Sequence, residues 1–124
     1  GYSFVGALSR DAIVDRTAKV SLSAVIMAGS LIQSNAIINS NVVINSGSII
    51  EHDCQVGQNV HVAPGAVLCG GVQIGCTSFV GAGAVIINSV TIGENAVIAA
   101  GATVVRDVPS NHIYKAPSKI ERIG

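Results

Sequence analysis

Residues 49–75 read Ile49-Ile50-Glu51-His52-Asp53-Cys54-Gln55-Val56-Gly57-Gln58-Asn59-Val60-His61-Val62-Ala63-Pro64-Gly65-Ala66-Val67-Leu68-Cys69-Gly70-Gly71-Val72-Gln73-Ile74-Gly75. Every sixth residue is a small aliphatic one: Ile50, Val56, Val62, Leu68, Ile74. The beat holds outward in both directions. It runs back through Ile44, Ile38, Ile32, Ile26 and Val20, with Val14 and Leu8 beyond, and forward through Val80, Ile86, Ile92, Ile98 and Val104. Two residues before each beat the side chain is mostly small, as at Ala24, Ser30, Ala36, Ser48, Cys54, Ala66, Ser78, Ala84, Ala96 and Ala102. Residues two apart in a strand share a face, so a large and a small side chain both point inward. The residue just after the beat is often Gly or Asn, as at Gly57, Gly75, Gly81, Gly93, Asn39 and Asn45. Such residues accept a left-handed backbone, and the expectation is that they turn the corners.

Each repeat is then a short strand plus a corner. Six-residue repeats of this kind resemble the hexapeptide family. The resemblance implies an all-β fold, a left-handed parallel β-helix in which three repeats make one triangular coil of 18 residues. Ordinary parallel crossovers are right-handed, so the hand rests on the resemblance. The beats from Val20 to Val104 predict about five coils, stacked about 4.8 Å apart. A β-sandwich of short strands is the competing fold, and it requires irregular turns and varied strand lengths. The repeat ends at Arg106-Asp107-Val108-Pro109. The expected division is a β-helix domain over residues 1–109 and a C-terminal tail over 110–124. In the tail Ser110 and Asn111 turn the chain, and residues 118–123 form a short helix or strand that covers the open end.

Sorting the outward residue before each beat by coil face separates three ladders. One holds Lys19, Ile37, Gln55, Gln73 and Thr91 and is largely polar. The second holds Val25, Val43, His61, Phe79 and Val97, and the third Leu31, Ile49, Val67, Val85 and Thr103. Two apolar faces are more than a solvated monomer carries. They predict a homotrimer in which the second face of one subunit meets the third face of the next. The competing reading is packing against another domain of the same chain. No Met opens the chain, which suggests a processed polypeptide with an N-terminal domain beyond it.

Composition narrows the function classes. Of 124 residues, seven are Lys or Arg and seven Asp or Glu, so the basic stripe of a nucleic-acid binder is not expected. No apolar run approaches the roughly 20 residues of a bilayer span, and no secretory signal opens the chain. Cys54, Cys69 and Cys76 follow no disulfide framework, which points to reduced thiols and a cytoplasmic location. A metal site needs clustered Cys and His ligands, and none is expected here.

Three histidines are present: His52, His61 and His112. His52 lies between Glu51 and Asp53, and a flanking carboxylate can orient an imidazole for general-base work. His61 interrupts an apolar ladder half a coil away. Within one prism the two histidines fall on different sides, whereas across a trimer seam they can meet.

The run 51–57 with His61, Pro64-Gly65-Ala66 and residues 69–75 resembles bacterial sugar acetyltransferases of the sialic-acid and bacillosamine type. The resemblance implies acetyl-CoA as co-substrate, no metal, and transfer to an amine or hydroxyl of a nucleotide-linked sugar. His52 corresponds to the catalytic base and Asp53 to its acidic neighbour, usually Glu. His61 corresponds to the histidine at the thioester, and Gly70, one coil beyond His52, to the glycine whose N–H binds the acetyl group. Ala82 and Ala100 correspond to residues lining the pantetheine arm, and Asn45 and Glu51 match polar positions near the site. The family's nucleotide-sugar-binding N-terminal α/β domain is expected to lie outside this chain. Its usual Gly-x-Pro-Ala-Lys ending is altered here to Lys115-Ala116-Pro117-Ser118-Lys119, which puts the adenine contacts in doubt. Arg106, Lys115, Lys119 and Arg122 are either phosphate contacts or a solvated basic tail. Two other readings stay open: a trimeric scaffold without catalysis, and a metal-dependent hydratase of the γ-carbonic-anhydrase kind. The latter needs three convergent histidines, typically with a His-x4-His pair that this chain lacks.

Overall fold

A computed structural model describes residues 7–115 and 119–124. From Ala7 to Val104 it contains seventeen two-residue strands that begin every six residues. At three strands per coil this is nearly six coils. The additional coil at the N-terminal end is built on Leu8 and Val14. These strands sort into three sheets, in which they pair in parallel between residues 18 apart, as in Val43, His61 and Phe79, and two further strands at the C-terminal end bring one sheet to eight. A five-stranded sheet carries the polar ladder Lys19–Thr91, an eight-stranded sheet carries His61, and a six-stranded sheet carries Val67.

The core is the expected pair of inward positions. Every beat residue from Ile26 to Val104 is buried, as are the small residues Ala24, Ala36, Cys54, Ala66, Ala84, Ala96 and Ala102. The inward serines do not go unsatisfied: Ser30, Ser48 and Ser78 donate to the carbonyls of Asn45, Ala63 and Gly93 at 2.9, 2.9 and 2.7 Å. A buried hydroxyl without a partner costs a large part of its desolvation, and each of these is placed beside a corner carbonyl of the next coil.

The corner chemistry differs from the expectation. The left-handed residues lie three after the beat, not one after it. They are Asn35, Asn41, Asp53, Asn59, Thr77, Ser89 and Asn95, with Gly29, Gly47, Gly65, Gly71, Gly83 and Gly101. The glycines one after the beat serve close approach instead. A Cβ on Gly75 would lie 2.5 Å from the carbonyl carbon of Gly93 and 2.6 Å from the nitrogen of Glu94. By contrast, a Cβ on Gly101, at φ +72°, meets nothing within 4 Å. The two kinds of glycine therefore respond differently to alanine. Gly75→Ala is expected to cost about 3 kcal/mol, because a backbone must shift. Gly101→Ala is expected to cost about 1 kcal/mol, from the left-handed conformation alone. Denaturant unfolding midpoints check this, and equal losses would show that coil spacing can open at this corner.

The end of the chain closes the prism by leaving the repeat. A strand at His112–Lys115 pairs parallel with Val97–Ile98, two residues short of the 18-residue register, and turns back as an antiparallel strand at Lys119–Arg122. Tyr114 is fully buried there and donates its hydroxyl to the Thr103 carbonyl at 2.9 Å. Asp107 accepts the Thr91 N–H in place of a carbonyl of a coil that is not formed, and the Ser110 hydroxyl accepts the Glu94 N–H. Residues 116–118 of the altered ending lie outside the described residues.

Candidate active site

Six positions of the chain fall in one column at the corner where the six-stranded sheet passes to the five-stranded one. In coil order they are Arg16, Ser34, His52, Gly70, Asn88 and Arg106, each 18 residues after the last. His52 is two residues past the end of the strand Ile49–Ile50, and Asp53 takes the left-handed conformation, φ +61°, that completes the turn. That turn swings the Asp53 carboxylate beside the imidazole. His52 Nδ1 and Asp53 Oδ2 are 2.9 Å apart. When Nδ1 donates, the lone pair of the neutral ring lies on Nε2.

Nε2 points at Gly70. A Cβ on Gly70 would come within 2.5 Å of His52 Nε2 and 2.7 Å of Cε1. Gly70 is buried, although its corner is at the surface, because the ring covers it. Only a glycine leaves room for the ring in this position. The sequence comparison predicts a role for the Gly70 N–H; the geometry adds a seat for the imidazole, which spacing alone does not reveal. Among the described residues the Gly70 N–H donates to no acceptor, while its carbonyl accepts from Ser89 N–H at 2.9 Å.

The other candidates lie elsewhere on the prism. His61 sits mid-face on the eight-stranded sheet, paired in register with Val43 and Phe79. Its ring lies 5.3 Å from that of Phe79, tilted by 52°. Asn45 begins the next corner and brings Nδ2 to 3.4 Å from His61 Nε2. Ala82 and Ala100 are exposed at that same corner. In a triangular coil the His52 corner is opposite the eight-stranded face. One chain thus presents two groups: Glu51, His52, Asp53 and Gly70 on one side, and Asn45, His61, Ala82 and Ala100 on the other.

Cys54 points inward and is fully buried. Burial pushes its thiol up to about 11, and Cys69 O lies 3.1 Å from its sulfur. A thiol held neutral and shielded is a poor nucleophile. Lys115, one of the candidate phosphate contacts, is engaged by Glu121 at 2.8 Å. Among the described residues no three His, Cys, Asp or Glu side chains form a group that could hold a metal ion, and no helix is long and apolar enough to cross a membrane.

A family model described as bacterial transferase hexapeptide (six repeats) matches residues 35–70 and 71–106, more than half of the chain. No match is found among curated protein sequences. Among solved structures the chain is similar to PerB from Caulobacter crescentus, in complex with CoA and GDP-perosamine. The two are 36% identical with a TM-score of 0.92, over 98% of this chain and 59% of that one. The acetyltransferase domain of PglB from Neisseria gonorrhoeae, in complex with acetyl coenzyme A, is 30% identical with a TM-score of 0.92, over 98% and 60%. WeeI from Acinetobacter baumannii is 28% identical with a TM-score of 0.66, over 91% and 56%. The chain thus spans about three-fifths of the length of these relatives.

Proposed function

This chain belongs to the bacterial transferase hexapeptide family, with the left-handed parallel β-helix of that family, and from that premise we propose that it transfers an acetyl group from acetyl-CoA to a sugar. The acceptor is an amine or hydroxyl of a nucleotide-linked sugar. The observation that carries this reading is the His52 arrangement: Nδ1 at 2.9 Å from Asp53 and Nε2 over Gly70. The likeness to CoA-bound and acetyl-CoA-bound relatives supports the choice of donor.

In the proposed reaction His52 Nε2 removes a proton as the acceptor nitrogen or oxygen attacks the thioester carbonyl. Asp53 stabilises the resulting imidazolium through Nδ1–H. The Gly70 N–H shares the negative charge of the tetrahedral intermediate. Collapse breaks the C–S bond, and the imidazolium returns its proton to the CoA sulfur. His61 contacts the thioester region, Ala82 and Ala100 line the pantetheine arm, Glu51 supplies a polar group near the acceptor, and Asn45 stands beside His61. Because the two groups lie on opposite sides of one prism, the site is shared between subunits of a homotrimer. The partly exposed ladders Val43–Phe79 and Ile49–Val85 support that pairing of faces.

The test is acetyl-CoA turnover against a panel of nucleotide-linked amino sugars, with mass spectrometry of the protein after acetyl-CoA alone. Transfer to one acceptor without an acetylated protein is expected. A stoichiometric adduct on Cys69 would replace direct attack with a two-step route. No saturable binding of acetyl-CoA would leave the non-catalytic scaffold.

A further inference from the structure

His61 has two ring nitrogens, and what it can offer a ligand depends on which one carries the proton. The backbone decides this through Asn45. The Ser46 N–H donates to Asn45 Oδ1 at 2.7 Å. That bond fixes the orientation of the side-chain amide, because turning it over would set its NH2 against the Ser46 N–H. With Oδ1 occupied, the Asn45 NH2 is the group that faces His61 Nε2, at 3.4 Å. An N–H donor can be received there only by the lone pair of Nε2, and the proton of the neutral ring is then on Nδ1. Among the described residues Asn45 is the only polar side chain that hydrogen-bonds this ring. Val43 and Phe79 flank it in register along the sheet, and Phe79 also makes the tilted ring contact.

We infer that Asn45 is a positioning residue that fixes His61 as its Nδ1–H tautomer, through a chain running from the Ser46 N–H to Asn45 Oδ1 and from Asn45 Nδ2 to His61 Nε2. Nδ1–H is then the one polar contact His61 has left to give, and it is a donor. A donor at this place suits an acyl carbonyl oxygen, whose negative charge grows as a nucleophile adds. Asn45 acts on the acetyl donor through His61, not by touching it. This catalytic part rests on the acetyl-transfer reading; the tautomer does not.

The test uses the full chain labelled with 15N at histidine, at a pH where the ring is neutral. The spectrum of the wild type is expected to show His61 protonated on Nδ1. Asn45→Asp replaces the donor with a carboxylate that accepts from Nε2–H, so the tautomer is expected to invert. A wild-type His61 protonated on Nε2, or one that Asn45→Asp leaves unchanged, overturns the assignment. In turnover, Asn45→Asp is expected to lower kcat/KM for acetyl-CoA about tenfold, the scale of one hydrogen bond. In a His61→Ala background the same replacement is expected to change it by less than about twofold. A tenfold loss in that background overturns the positioning role and makes Asn45 a direct substrate contact. A chain with no acetyl transfer removes the proposed function, while the spectrum still decides the tautomer.

Discussion

His52→Ala is expected to lower kcat by about three orders of magnitude, within the range a positioned general base contributes. The acceptor must lose a proton as it attacks, and among the groups at this corner only His52 Nε2 combines a free lone pair with a fixed direction. Its direction comes from two sides, with Asp53 Oδ2 holding Nδ1 at 2.9 Å and Gly70 lying under Nε2. KM for acetyl-CoA is expected to change little, because His52 acts on the acceptor proton while the CoA arm is assigned to other residues, Ala82 and Ala100. Asp53→Ala is expected to cost only about tenfold. The side chains of the pair are 57% and 59% exposed, and solvent competes with an exposed pair. A His52→Ala enzyme within tenfold of the wild-type rate would rule out His52 as the base.

Gly70→Ala has the next largest expected effect, a loss of about a hundredfold in kcat with the fold intact. The new Cβ would meet His52 Nε2, Cε1 and Cδ2 at 2.5, 2.7 and 3.2 Å. Those atoms belong to a side chain, so the imidazole swings away and the coil does not have to open. Gly70 also lies outside the left-handed region, and alanine brings no backbone strain. A displaced ring loses its alignment with the acceptor, and misplacement on the scale of 1 Å is worth about a hundredfold. An unchanged unfolding midpoint with a hundredfold lower kcat is the expected pair of results. In a His52→Ala background Gly70→Ala is expected to add little. A further large loss there would mean that the added methyl obstructs the substrate or its approach to the Gly70 N–H directly, independently of the ring, since alanine keeps the backbone N–H.

Most of the fold was legible because a solenoid repeats one environment. Once Ile50 and Val56 are read as inward, the same assignment serves every beat, and the burial of Ile26 to Val104 follows. The first coil, by contrast, leaves Leu8 exposed and Val14 and Val20 only half-buried, since nothing described stacks beneath it. The corner residues were harder to read. Gly and Asn one after the beat suggest a turn by composition, but the turn is made two residues later, where Asn35, Asp53 and Thr77 serve as well as glycine. Gly57, Gly75, Gly81 and Gly93 are small because the backbone of the next coil lies against them. A contact of that kind runs between residues 18 apart and has no local signal.

By itself the sequence determined the period, the inward and outward positions, the polar and apolar ladders, and the stacking of Gly70 on His52. All of these follow from counting in sixes and eighteens, because each coil imposes the same geometry on the next. Only the tertiary structure decided which atom of His52 faces Gly70, that Asp53 holds the other nitrogen, and that Asn45 meets His61. Those relations depend on side-chain torsions and on a left-handed turn at one residue. It also decided how the chain ends. There the 18-residue register is broken by two residues, so that Tyr114 can fill the core and donate its hydroxyl to Thr103.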